Sequence, residues 1–179
     1  RWLLKDGAMT VVAGTGDIKS KQTFCDVQLH VEWKMPTQIT DEKGELLTGQ
    51  GRNNSGAFFQ QRYEIQILDS YKNKTYANGQ AGAVYKQHIP LVNATKAPGE
   101  WQSYDIIFTA PVFDAAGKLK SKAKMTALHN GVLVQNSVEI QGVTEWIGAP
   151  TYSAHGCDSI RLQDHGNPVS FRNIWLRKL

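Results

Sequence analysis

Apolar residues recur along this chain at every second position, the spacing of strands that bury one face. No segment sustains the period of an amphipathic helix. In TFCDVQLHVEWK, Cys25, Val27, Leu29, Val31 and Trp33 share one face, while Phe24, Asp26, Gln28, His30 and Glu32 share the other. RYEIQILDS sets Tyr63, Ile65 and Ile67 against Arg62, Glu64, Gln66 and Leu68. SYDIIFTAPVF and KMTALHNGVLVQNSVEI alternate similarly, and the Asn130-Gly131 step suits the left-handed positions of a hairpin turn. SIRLQDH and VSFRNIWLRKL, joined through Gly-Asn-Pro, read as two further strands. Many short strands punctuated by Gly and Pro predict an all-β sandwich or barrel. The expected core comprises Cys25, Val27, Leu29, Val31, Tyr63, Ile65, Ile67, Ile106, Phe108, Ile160, Leu162, Ile174 and Leu176, with Trp33 and Trp175 also read as core.

Two connections are too long for simple turns. Residues 35–54 and 69–87 both flank the RYEIQILDS strand, and loops of that length in a compact domain usually bind or cover something. A length of 179 residues, without repeat, linker or compositional break, suggests that residues 1–179 form one domain.

The polar strand positions carry unusual chemistry. His30 and Glu32, then Arg62, Glu64 and Gln66, then Arg161, Gln163 and His165 fall on open sheet faces. Any one of them alone reads as a solvated face. Together they mix carboxylates, imidazoles, guanidinium and amides, where a merely wet face would favour Lys, Ser and Thr. Sugar-binding clefts pair such planar polar groups with flat apolar rings, and Trp101, Tyr85, Tyr71 and Phe58 lie near the long loops. The expected site is one concave pocket lined by Glu32, Arg62, Glu64, Gln66, Gln163 and His165, with Asn54, Ser55 and His155 at its rim.

Other chemistries fit poorly. The net charge of +4 is scattered, with no basic stripe for nucleic acid. No apolar run approaches the roughly 18 residues of a membrane span. GTGDIKSK lacks the strand-to-helix setting of a phosphate loop, Ser55 lacks the G-x-S-x-G elbow, and the histidines lack H-E-x-x-H spacing. No cofactor is indicated, although a divalent ion shared between strands, with Glu64, His165 and His30 as candidate ligands, escapes spacing rules. Cys25 and Cys157 are either bridged or two buried thiols.

NNSGAFFQQRYEIQILDSYKNKTYANGQAGAVY, PLVNATKAPGEWQSYDIIFTAP, LHNGVLVQN and LQDHGNPVSFRNIWLR together resemble the 3-keto-disaccharide hydrolase domain family over nearly the whole chain. The resemblance implies a concanavalin A-like jelly-roll β-sandwich of two antiparallel sheets. It also implies an exported protein, periplasmic or extracellular, whose leader this chain lacks, and a carbohydrate substrate already oxidised at C3. Such a ketone acidifies the C2 proton, so a base, a stabiliser at O3 and an acid or metal at the glycosidic oxygen can together cleave the bond. Glu64, His165 and Glu32 are the expected catalytic groups. Arg62, Gln66, Gln163, Asn54, Ser55, His155, Trp101 and Tyr85 are the expected substrate contacts. Two alternatives stand beside this reading. EIQILD puts Glu64, Gln66 and Asp69 at the E-x-D-x-x-E spacing of laminarinase-like retaining glycosidases, and many sandwiches of this type are binding modules without catalysis.

Overall fold

A computed structural model describes all 179 residues and sorts the alternating segments into thirteen strands. In chain order they are β1 (Leu3–Lys5), β2 (Ala8–Thr10), β3 (Ile18–Lys19), β4 (Val27–Lys34), β5 (Asn54–Phe59), β6 (Tyr63–Leu68), β7 (Trp101–Thr109), β8 (Val112–Phe113), β9 (Leu119–Ser121), β10 (Lys124–His129), β11 (Val132–Glu139), β12 (Arg161–Leu162) and β13 (Ser170–Lys178). The larger sheet runs β1-β2-β13-β4-β7-β10-β11, the smaller β3-β12-β5-β6, and β8-β9 is a separate hairpin. All pairings are antiparallel. Two 3-10 turns, Gly49–Gly51 and Ala77–Gly79, are the only helical structure. The sandwich read from the alternation, with the jelly-roll form that the resemblance implies, is the fold observed.

The two inner faces interlock as the period-two pattern requires. Val27, Leu29, Val31 and Trp33 of β4, with Tyr104, Ile106 and Phe108 of β7, meet Tyr63, Ile65 and Ile67 of β6, all buried. Phe59 of β5 stacks on Phe108 at 4.7 Å between centroids. Side chains of this kind each stabilise the fold by about 1.5–3 kcal/mol on burial. The outer edge of β6 is covered by Gly82–Tyr85: Gln66 N donates to Ala83 O (2.9 Å), Gly82 N to Gln66 O (3.0 Å) and Tyr85 N to Glu64 O (3.2 Å). That added edge brings Tyr85 alongside Glu64. At the opposite end of β4 from its pairing with Trp101, Cys25 and Cys157 form a disulfide beside the Phe24–Asp158 bridge, tying the approach to β4 to the approach to β12.

Four core assignments change. Phe24 is buried and Cys25 exposed, because the strand begins only at Val27 and the chain before it turns aside into the disulfide. Trp175 is 43% exposed. The ladder between β13 and β4 slips between Arg172 and Trp175, with Asn173 at φ 47°, and this bulge resets the alternation so that Ile174 and Leu176 point inward while Trp175 points out. Ile174 and Leu176 are half-buried against the core rather than within it.

Candidate active site

The outer face of the smaller sheet forms the floor of a cleft of about 740 Å³. Asn54 and Phe58 rise from β5, and Glu64 and Gln66 from β6, in register as Phe58–Glu64 and Gly56–Gln66 pairs. Gln163 follows β12, its N–H bonded to Gly56 O (3.0 Å), and His165 stands two residues further on at the exposed rim. Both long loops contribute, residues 35–54 through Gln50 and Gly51 and residues 69–87 through Tyr76 and Tyr85. A third loop brings Thr144 and Trp146.

Glu64 is the only carboxylate lining the cleft. Gly56 makes room for it: a Cβ there would sit 2.5 Å from Glu64 Oε1 and 2.9 Å from the Phe58 ring. No cation pairs with Glu64 directly. Burial pushes its carboxyl up to about 8, against a weaker opposing pull from Arg161, whose guanidinium lies over the Phe58 ring and pairs with Asp17.

The surrounding amides agree with a proton on that carboxyl. Gln50 Nε2 donates to Gly79 O (2.8 Å) and Thr75 Oγ1 (3.1 Å), which leaves Gln50 Oε1 to accept from Gln66 Nε2 (2.8 Å). Gln66 Oε1 then faces Glu64 Oε1 at 3.0 Å. Two oxygens at that distance share a proton, so a neutral Glu64 donates to Gln66. Turning the Gln66 amide over would let it donate to an ionised Glu64 and to Ser55 O, but would set its oxygen 2.8 Å from Gln50 Oε1. The Gly79 carbonyl holds Gln50 against that arrangement, and we assign the amides on this basis.

Glu64, Gln66, Asn54, Gln163, His165, Tyr85 and Phe58 therefore meet in one cleft. The other expected residues do not join them. Glu32 projects from the outer face of the larger sheet, on the far side of the sandwich, where Arg172 and Asn173 bind it and hold its carboxyl below the usual range, Asn173 foremost. His30 lies there too, its Nδ1 2.7 Å from Asp105 and its ring stacked on Trp175. The error was one of sheet assignment, because β4 and β6 alternate identically but belong to opposite sheets. Trp101 shares that far face, between Lys34 and Arg172. Arg62 precedes β6 and is spent on Asp158 (2.8 Å) and Gln60 O (2.6 Å). Ser55 alternates inward and donates to Gln163 O (2.8 Å). His155 Nε2 lies 2.6 Å from the Tyr63 hydroxyl and against Phe113, outside the cleft. Tyr71 lies under Lys72, away from it. Asp69 is buried in an ion pair with Arg52 (2.7 Å). As a metal site, the candidate trio of Glu64, His165 and His30 is split between two faces, and no three His, Cys, Asp or Glu side chains converge elsewhere.

Sequence reasoning missed Gln50, Gly51, Tyr76, Thr144 and Trp146. The first three sit within loops already marked as binding loops. Trp146, exposed in the Glu-Trp-Ile-Gly-Ala-Pro run, carried a signal of its own, an apolar pair in a turn-rich segment.

A family model described as "3-keto-alpha-glucoside-1,2-lyase-like domain" matches residues 1–177. Among solved structures, a "putative glycosyl hydrolase" from Parabacteroides distasonis ATCC 8503 is 50% identical, with a TM-score of 0.94 over 100% of this chain and 75% of its own. A second protein from the same organism, described in the same words, is 20% identical with a TM-score of 0.68, over 99% of this chain and 83% of its own. The alginate lyase Aly36B is 10% identical with a TM-score of 0.56, over 100% of this chain and 84% of its own. These two show a shared β-sandwich fold. None of the curated proteins matches the chain.

Proposed function

From the premise that the chain belongs to the 3-keto-alpha-glucoside-1,2-lyase-like family, we propose that this carbohydrate-processing domain cleaves glycosides already oxidised to a ketone at C3. His165 takes the C2 proton, the electron pair forms the C1–C2 double bond, and the C1–O bond breaks with its electrons leaving on oxygen. Charge that develops at O3 meets the amides of Asn54, Gln66 and Gln163. Glu64, protonated in its dry wall, gives its proton to the departing oxygen and is ionised once. Water entering afterwards adds across the double bond and completes a net hydrolysis; release before that step makes the reaction a lyase.

The observation that carries this reading is the single carboxyl group of the cleft, buried with no cation paired to it, an environment that pushes it up to about 8. A retaining glycosidase needs two carboxyls about 5–5.5 Å apart, and Asp69, the second in the sequence spacing, is paired with Arg52 outside the cleft. A general acid held near pH 8 suits an elimination, in which the leaving oxygen needs a proton and no second carboxylate is used. The Cys25–Cys157 disulfide supports export to an oxidising compartment, which we propose as the site of action.

The test runs a 3-keto-glucoside and its parent glucoside side by side in deuterated water, with and without a chelator. Cleavage of the ketone alone, deuterium at C2, and a rate that falls as pH rises through 8 are expected. Cleavage of the parent with retention at C1 would overturn the proposal.

A further inference from the structure

The cleft draws its groups from strands and loops of different chemistry. Asn54 of β5, Gln66 of β6, and Gln163 and His165 beyond β12 supply polar groups, with the Phe58 ring of β5 among them. The loops after β6 and after β11 bring in Tyr76, Tyr85 and Trp146. The two tyrosine hydroxyls bond each other at 2.6 Å, and Lys86 Nζ covers one face of Tyr76 at 4.0 Å, which leaves the Tyr85 ring and the remaining face of Tyr76 for a ligand. Trp146 is 71% exposed and Ile147 is 74% exposed, values that mark side chains with no protein partner rather than poorly packed core.

The loop that carries them is anchored closely at its base. Val143 N donates to Thr151 O (2.9 Å) and Thr144 N to Arg62 O (2.9 Å), while Thr144 Oγ1 accepts from Glu64 N (2.9 Å). Gln87 braces the stem from the neighbouring loop, donating to Gly142 O (3.0 Å) and accepting from Gln141 N (2.6 Å). Trp146 thus stands two residues from a direct bond to the backbone of the acid. The tip, Trp146-Ile147-Gly148-Ala149-Pro150, offers one side-chain hydrogen-bond donor, the indole N–H, and no side-chain acceptor.

We infer that Trp146 forms the subsite for the leaving group, and that this subsite takes a planar aromatic aglycone in preference to a second sugar. A sugar ring stacked there keeps its hydroxyls in water, since Trp146 is open to solvent, and gains from the tip only the indole N–H, whereas an aryl ring has two apolar faces to remove from water. An aryl ring stacks on the indole and buries its second face toward the tyrosine wall. A cleft of about 740 Å³ falls among sites that hold drug-sized ligands and exceeds what a lone hexose fills. This inference rests on the proposed chemistry for the identity of the reacting sugar. The apolar platform itself is independent of turnover.

Two measurements separate the two. The first compares kcat/KM of wild type and Trp146→Ala on phenyl and methyl 3-keto-glucosides. Taking each substrate's ratio between the two proteins removes the intrinsic difference in leaving-group ability. The variant should lose about tenfold or more on the phenyl substrate and less than about threefold on the methyl substrate, mainly through KM, at unchanged Tm. An equal loss on both substrates, or none, overturns the inference. The second measurement titrates phenyl, methyl and glucosyl glucosides, all unoxidised, into both proteins and follows Trp fluorescence and calorimetric heat. Wild type should prefer the phenyl compound by about tenfold, and Trp146→Ala should reduce that preference. Preference for the glucosyl compound, or equal affinity, overturns the aromatic subsite even in a protein that turns over nothing. A clear phenyl preference without cleavage of either ketone would leave the platform standing and remove the reaction.

Discussion

Glu64→Gln removes one ionisable group while keeping the side chain's size, and its effect on folding should depend steeply on pH. In the folded chain burial raises the carboxyl from the ordinary 4.5 to about 8. The raised value means the folded state binds this proton more tightly than the unfolded state does. Its stabilising contribution is complete below about pH 4.5, declines as pH rises, and is exhausted near pH 8. A displacement of about 3.5 pH units, at 1.36 kcal/mol per unit, amounts to about 5 kcal/mol in all and about 3 kcal/mol by pH 7. Folding free energies of about 5–15 kcal/mol make that a large share of the total. Urea titrations of wild type and Glu64→Gln at half-unit steps from pH 4 to pH 9.5 read it directly. Wild type should lose stability relative to the variant between about pH 4.5 and pH 8, and the difference should level off above. A difference that stays constant across that range would refute the placement of a neutral acid in the cleft wall.

Two other outcomes follow from the same geometry. Gly56→Ala places a methyl against Glu64 Oε1 and the Phe58 ring; overpacking of about 1–3 kcal/mol should be accompanied by a kcat loss of about 10² on a 3-keto-glucoside and a shifted pH profile, and unchanged kinetics would mean the glycine is not needed to seat the acid. Reduction of Cys25–Cys157 opens a loop of 132 residues, for which the chain-entropy estimate is about 5 kcal/mol; the urea midpoint should fall on adding reductant and in Cys25→Ser, and coincident midpoints would show the bond to be dispensable.

The fold was legible because a period of two leaves few choices for which residues turn inward. Ten of the thirteen residues expected in the core are buried, and the exceptions lie where the alternation slips, before β4 and at the β13 bulge. The site was half legible for a related reason. Alternation identifies the outward residues of each strand but not the sheet to which the strand belongs. Glu64 and Gln66 were found by their pattern, and Glu32 and His30 were misplaced by the same pattern, because β4 pairs with β7 and β13 while β6 pairs with β5. Arg62 and Asp69 fell to ion pairs whose partners, Asp158 and Arg52, are remote in sequence or sit in a loop. Trp146 gave no periodic signal, since a loop residue takes its place from the stem bonds at Val143 and Thr144.

The position of β13 in the larger sheet has a bearing on the order in which this protein can acquire structure. β13, residues Ser170–Lys178, lies between β2 and β4 rather than at an edge. The first two strands therefore have no neighbour toward β4 until the last strand has been made. Pairing Leu176 with Leu29 spans most of the chain, and sheets dominated by such distant pairings fold in about milliseconds to seconds rather than microseconds. While residues up to about 169 emerge, β4 keeps an open flank that can capture another strand. Such a chain can pair β4, β7, β10 and β11 as it is made, but the larger sheet is joined across β13 only once residues 170–178 are present.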